Sequence, residues 1–521
     1  MGLTELEKSL GERLRLLKGN TRGAPPRHKT LRATLDWSHA LLTPDEQAVL
    51  RHLSVFAGSF RLDMAQRVAV SESLDEWAVL DLLAGLVDKS LVQLEQHEQP
   101  RYRLLETTRL YAAERLTEAH EVETVAKKHG QAMALLAEEV ENAYWTTPDR
   151  PWLDRYAPEY DDLQAAFDRA CRDLDGVVGA STLDALFLLD HLRAIVPPIC
   201  ANLEAAHGLL ECAGPVASAR LNLRFATYFV AGVAGVPKLE AAVRAVASFR
   251  EMDERCRLYA ALMSMAVNYA MQGRFADAEQ ALADAGALED PHWPARLLWL
   301  GASHRSKVHT YRGDAAAYRN SSLAELRLAE RTGSPCQAAN ARLNLADAAL
   351  MAGDLDEAIT LGRAAVDEVR ALDLPQMLAV AQLNLCAVML RKGDAPSARG
   401  VALDALDVVW QNSMSGYFLC HLALLAASLS RLEEAAQMLG YVEAWFTANQ
   451  YTREPSEERS LRLATEAVEA RLEAAQIKAL RRTGAGMNEA QARALTQETL
   501  GEAGQSEPSR SRSTRSKVSR I

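Results

Sequence analysis

Gly273, Gly313, Gly353 and Gly393 stand 40 residues apart, and the strings that begin on them rhyme: GRFADA, GDAAAY, GDLDEA and GDAPSA. A fixed interval of this size marks an architecture of stacked copies of one supersecondary unit. Upstream, LNLADAALMAG (343–353) and LNLCAVMLRKG (383–393) match in the same register, and a degenerate copy, SRLEEA, begins at Ser430. Each unit therefore reads as a helix, a glycine turn and a second helix. Ala278, Ala358, Ala398 and Ala435 share one position of the second helix, where a small side chain lets two helices approach closely. Phe275, Leu355 and Leu432, three residues earlier, supply apolar filling. The 313 copy departs, with Tyr318 in place of the alanine. A single pair cannot bury its own apolar face, so its neighbours must stack on it.

This pattern resembles tetratricopeptide units, although those usually run to about 34 residues. At 521 residues the chain exceeds what one compact core supports, so an open-ended array accounts for much of its length. The expected fold class is mostly α: a winged-helix domain followed by a tetratricopeptide-like α-solenoid.

The winged helix is read from the N-terminal part. Helical patterns span 30–41, 44–53 (Thr43 as N-cap, Pro44 at the first helical position), 61–69, 74–88 and 107–119. Between the last two, Leu91, Val92 and Leu94, a turn-like QHEQP and RYRL at 101–104 read as a two-stranded hairpin. Beyond residue 126 helix follows helix, with a break required at Pro197-Pro198. The expected domains are 1–22 as a remnant lid helix, 23–125 as winged helix, 126–200 as helical connector, 201–490 as repeats and 491–521 as a disordered basic Ser/Arg tail.

Charge bears on partners. The whole chain carries −11, and residues 24–120 hold 11 Lys/Arg against 14 Asp/Glu. The helix before the wing offers Asp75, Glu76, Asp81 and Asp88 against Lys89, and its apolar residues, Trp77 among them, read as packing surface. Phosphate binding needs clustered positive charge, so the winged helix is expected to contact protein. The alternative is a DNA-binding transcription factor using Arg101 and Arg103 of the wing with Arg510, Arg512 and Arg515 of the tail.

Chemistry-bearing motifs are missing from the string. None of the 11 lysines follows a glycine, which excludes a P-loop, and neither His-Glu-x-x-His nor Gly-x-Ser-x-Gly occurs. His304 and His309, five apart, read as surface or turn residues, and the pairs Glu138-Glu139, Asp161-Asp162 and Glu433-Glu434 as a charged outer face. The seven cysteines lack any Cys-x-x-Cys and read as reduced, mostly buried thiols. No apolar run approaches the length of a membrane span. The expectation is a cytoplasmic protein without enzymatic activity, metal or cofactor, whose repeats bind a protein, peptide or small ligand.

The strings GERLRLLKGNTRGAPPRHKTLRATLDWSHALLTPDEQAVLRHLSVFAGSF, VLDLLAGLVDKSLVQLE and RYRLLETTRLYAAERL resemble the winged-helix segment of bacterial STAND-class (NB-ARC-like) ATPase regulators. Many of these are transcriptional regulators that continue into tetratricopeptide-like repeats. The resemblance implies a switch: the winged helix packs on a nucleotide-binding module, the repeats sense a ligand or partner, and release permits oligomerisation. It also implies that residues 1–22 are the last helix of the ATPase lid, with the nucleotide module missing from this chain or carried on a separate one. Leu105 stands where many relatives place a histidine near the nucleotide.

Overall fold

The computed structural model describes residues 26–96, 99–193, 196–227, 237–411, 414–449 and 453–501. They form two compact units. The first comprises residues up to Tyr144, Arg150–Leu189 and Ala205–Leu221; the second comprises Trp145–Asp149, Asp190–Glu204 and the residues from Asn222 onward.

The first unit opens with α1 (Pro26–Ala40), α2 (Pro44–Leu53), α3 (Leu62–Ala69) and α4 (Glu76–Asp88), then β1 (Gln93–Glu95), β2 (Arg101–Arg103) and α5 (Glu106–Glu118). Thr43 starts α2 as expected, in a reciprocal capping box: its hydroxyl accepts the Glu46 amide at 3.2 Å and the Glu46 carboxylate accepts the Thr43 amide at 2.9 Å. The strands pair antiparallel with Leu94 opposite Tyr102, and Phe60 adds a bridge to Tyr102 with 2.8 Å bonds both ways. Val49, Leu50, Leu53, Val79, Leu83 and Leu86, on α2 and α4, are buried in the core of this unit. The winged helix is therefore present. Trp77 departs from its expected packing role and is 76% exposed on α4.

Four further helices, α6 (Val122–Tyr144), α7 (Asp149–Tyr156), α8 (Tyr160–Asp173) and α9 (Gly176–Leu192), come next. The first compact unit runs through much of this segment, past the boundary expected at 125. The reason lies in three acidic residues, two of which the sequence placed on a solvated face. Asp162, 1% exposed, accepts the Ala57 and Gly58 amides at 2.7 and 3.3 Å. Glu159, equally buried, accepts the Arg101 guanidinium at 2.6 Å, and Glu139 pairs with Arg61 at 3.0 Å. Glu138 likewise pairs with Arg220. Of the carboxylate pairs expected to form an outer face, Asp162, Glu138 and Glu139 are structural anchors.

After α10 (Val196–Ala206), α11 (Pro215–Thr227) and α12 (Lys238–Glu251), the repeats begin. Pro197 and Pro198 sit in the first turn of α10, where a missing N–H is tolerated. The repeat pairs are α13 (Arg255–Met271) with α14 (Phe275–Leu288), α15 (Ala295–Arg312) with α16 (Ala315–Thr332), α17 (Pro335–Ala352) with α18 (Leu355–Ala371), α19 (Pro375–Lys392) with α20 (Ala395–Gln411), and α21 (Ser415–Ser428) with α22 (Leu432–Asn449). All four repeat glycines adopt left-handed backbone, φ +72 to +88°, and Ser430 does the same at +61° in the degenerate copy. The aspartate after the glycine caps the next helix: Asp314, Asp354 and Asp394 accept the amides of Ala317, Glu357 and Ser397 at 3.0 to 3.1 Å. Thus Gly-Asp ends one helix and starts the other. Ala278, Ala358, Ala398 and Ala435 are each fully buried. Three helices close the described chain: α23 (Pro455–Glu469), α24 (Ala474–Ala485) and α25 (Glu489–Leu500).

Of the seven free cysteines only Cys386 and Cys420 are buried, while Cys212 and Cys256 are exposed, so the thiols are less hidden than expected. No helix among the described residues is long and apolar enough to cross a membrane. Arg510, Arg512 and Arg515 lie outside the described residues.

Candidate functional site: a charged groove on the repeats

The 40-residue register sets side chains of successive first helices beside one another. Lys307, Asp347 and Ala387 share one register position, and Tyr311, Met351 and Arg391 share the next turn of the same face. The second and third rungs of each ladder, with Thr310, Leu350 and Leu424, line a cavity of about 130 Å³. Its far wall is the start of α23, from Glu454 to Leu463. Glu454 is tied there by an ion pair with Lys307, 147 residues away, and by a capping box with Glu457.

The charges in this groove are poorly matched. Asp347 makes no ion pair; burial first, then the charges of Glu454 and Glu457, raise its carboxyl to about 7 against the opposing Lys307 charge and a hydrogen bond with Tyr318. Arg391 donates to the Leu350 carbonyl, and neither it nor Arg459 pairs with a carboxylate among the described residues. Partial burial and the neighbouring Arg459 charge lower the Arg391 pKa. The groove thus presents two carboxyls, Asp347 and the Lys307-paired Glu454, and two guanidiniums over a floor of Leu350, Met351 and Leu424.

Behind it lies the departure that weakens the 313 repeat. Tyr318 takes the space left by alanine elsewhere, is 4% exposed, and donates to Asn344 Oδ1 at 3.2 Å. Asn344 in turn donates to Glu325 Oε2 at 3.1 Å, and burial pushes the fully enclosed Glu325 carboxyl up to about 7. His304 belongs with this interior, not with the surface: it is buried within α15, its Nδ1 lies 2.8 Å from the Leu300 carbonyl, and burial lowers its pKa to about 4. His309 is half-buried on the same helix, its pKa also lowered by burial. Sequence reasoning missed the groove, although the 40-residue register and the Tyr318 anomaly both marked it.

The candidate DNA contacts part company. Arg101 is 4% exposed, and its guanidinium is spent on Ser59 and Glu159, so it cannot reach a phosphate. Burial raises the Glu159 pKa, and the Arg101 charge opposes this. Arg103 is exposed and lies 3.8 Å from Glu95. On α4 the exposed residues include Glu76, Trp77, Asp81 and Asp88, and Lys89 is held by Glu46 at 2.5 Å. Leu105 is half-exposed at the start of α5. No group of three His, Cys, Asp or Glu side chains among the described residues is placed to hold a metal ion.

A family model described as a winged helix-turn-helix domain matches residues 42–117. The chain is 42% identical over 168 residues to a "Putative HTH-type transcriptional regulator" of Mycobacterium tuberculosis, a match covering 32% of this chain and 19% of that protein. It is 41% identical over 127 residues to an uncharacterised protein of the same species, covering 24% of this chain and 32% of that one. The matches therefore span a third or less of those relatives' lengths. Among solved structures, a STAND protein with a tetratricopeptide repeat sensor from Pyrococcus horikoshii aligns with TM-score 0.49 and 14% identity, over 86% of this chain and 66% of that one. A Rap protein complexed with competence and sporulation factor aligns at TM-score 0.41 and 14% identity, over 68% of this chain and 99% of that one.

Proposed function

We propose that this chain is a non-enzymatic regulatory protein of the transcriptional-regulator type, in which the winged helix docks on protein and the repeats sense a ligand through the groove beside α23. The observation that carries the sensing role is the groove itself, where Asp347, Arg391 and Arg459 line a cavity without ion-pair partners. Asp347 and Arg391 are half-buried, and charges in such a recess cost free energy unless a ligand matches them. The docking role is supported by α4, whose outer face carries Trp77 with three carboxylates and whose lysine is already bound. Such a face repels phosphate and suits a protein with basic and apolar groups. A nucleotide-hydrolysing module, on this polypeptide or another, is the partner that the STAND resemblance assigns to it. The relatives' names support the regulatory reading.

The sensing role is tested by thermal shift of the full chain against a panel of amino acids, sugars, nucleotides and polyamines, with Met351→Trp filling the cavity as control. A ligand that raises the Tm of the parent and not of the variant is expected. Silence of the whole panel contradicts it. A second reading, direct DNA binding, is favoured by the winged helix-turn-helix match. It requires retardation of mixed duplexes at low salt and micromolar protein that Arg103→Ala weakens.

A further inference from the structure

The groove's charge pattern narrows its ligand, on the reading that it is a sensing site. Two guanidiniums without carboxylate partners, Arg391 and Arg459, lie close enough to repel each other, and an anionic group shared between them relieves that repulsion. A phosphate or dicarboxylate fits poorly, since Asp347 and Glu454 line the same cavity and would face the second negative charge. A polyamine fits poorly for the converse reason. Leu350, Met351 and Leu424 provide an apolar floor, and about 130 Å³ leaves room for a small molecule only.

We propose that the groove binds a small zwitterion of the α-amino-acid type, its carboxylate on Arg391 and Arg459, its ammonium on Asp347, and its side chain on Leu350, Met351 and Leu424. Glu454 serves as the fixed wall: its ion pair with Lys307 holds the start of α23 over the site, and Asp347, beside Tyr318 and without an ion pair of its own, is left to meet the ammonium. Binding removes the mismatch on both sides of the groove at once, which neither a simple acid nor a simple amine does.

The test is calorimetry on the full chain at pH 7.5 with glycine, L-alanine, L-serine, L-leucine, L-glutamate and L-lysine, followed by the N-acetyl and C-amide derivatives of the tightest binder. Saturable binding is expected, weakened at least tenfold by capping either end. Arg459→Gln, at an exposed position, and Arg391→Gln should erase the preference for the free carboxylate over the amide. Asp347→Asn should erase the preference for the free amine over its acetyl form. Equal affinity for acetate, phosphate or methylamine overturns the proposal, as does the absence of binding by any amino acid. A sugar or nucleotide that binds the parent and fails on Met351→Trp would remove the zwitterion and leave the sensing role standing; silence of every class would remove both.

Discussion

Asp162 accepts the backbone amide of Ala57 at 2.7 Å across 105 residues of chain. The same carboxylate takes the Gly58 amide and faces His129 Nε2 at 3.2 Å, and His129 Nδ1 meets Arg169. The Phe56 ring lies edge-on to His129, with centroids 5.2 Å apart. The turn after α2 is thus fastened to α6 and α8 by a buried polar chain, and polar groups in such a place are expensive to leave unmatched. Asp162→Ala should destabilise the first unit by about 2–3 kcal/mol, and Asp162→Asn by less, because one acceptor oxygen remains. Urea denaturation followed by circular dichroism measures both.

Arg101 and Arg103 share β2 but face different surroundings, so their substitutions should separate. Arg101→Ala leaves Glu159, which is 1% exposed, with only the longer 3.8 Å contact to Arg61, and the cost has as its upper bound the about 3–5 kcal/mol of removing one partner of a buried pair. Arg103→Ala should stay within about 0.5 kcal/mol of the parent, as exposed positions usually do. Melting curves of the two variants check the contrast. Equal, small effects would mean that the Arg101 to Glu159 contact carries little.

The repeat is the part most legible from the sequence, because its physics is local. Left-handed backbone at Gly353 favours glycine, Asp354 caps the second helix, and Ala358 sets the helix crossing, so the string GDLDEA carries its own structure. The hairpin and α2 are legible for the same reason. Long-range pairing is hidden in the sequence. Nothing in Asp161-Asp162 shows which of the two turns inward to meet the amides of Ala57 and Gly58, and nothing beside Arg101 announces Glu159. The groove depends on both the repeat register and the return of α23 from beyond the array, and only the first is written locally.

Gly353→Ala places a Cβ on backbone at φ +88° and should cost about 1 kcal/mol. Ala358→Leu overpacks a fully buried crossing and should cost about 1–3 kcal/mol. Chemical denaturation of the full chain should show both losses in the transition that reports the repeats.

Glu325 gives the repeats a pH dependence of known sign. Its carboxyl is raised from 4.5 to about 7 by burial, opposed by Ser306, Asn344 and Lys307. A folded-state pKa above the unfolded one means that the protonated form is favoured on folding. That contribution is fully present below pH 4.5 and is lost as pH rises through 7. The loss amounts to about 3 kcal/mol at most, at 1.36 kcal/mol per pKa unit. Asp347 acts in the same direction, while His304, lowered to about 4, favours folding as pH rises toward 6.5. Glu325→Gln therefore isolates one group. The variant should gain on the parent between pH 5 and pH 8.5, and a parallel pH profile would contradict the burial of a titrating carboxyl.

The most direct measurement of the central claim is hydrogen exchange of the full chain with and without a saturating ligand found by the panel. Protection is expected in the peptides that hold Thr310, Asp347 to Met351, Ala387 to Arg391 and Glu454 to Leu463, which lie far apart in sequence and together line the groove. Protection confined to other segments, such as α4 of the winged helix, with those four peptides unchanged, would contradict a sensing groove on the repeats.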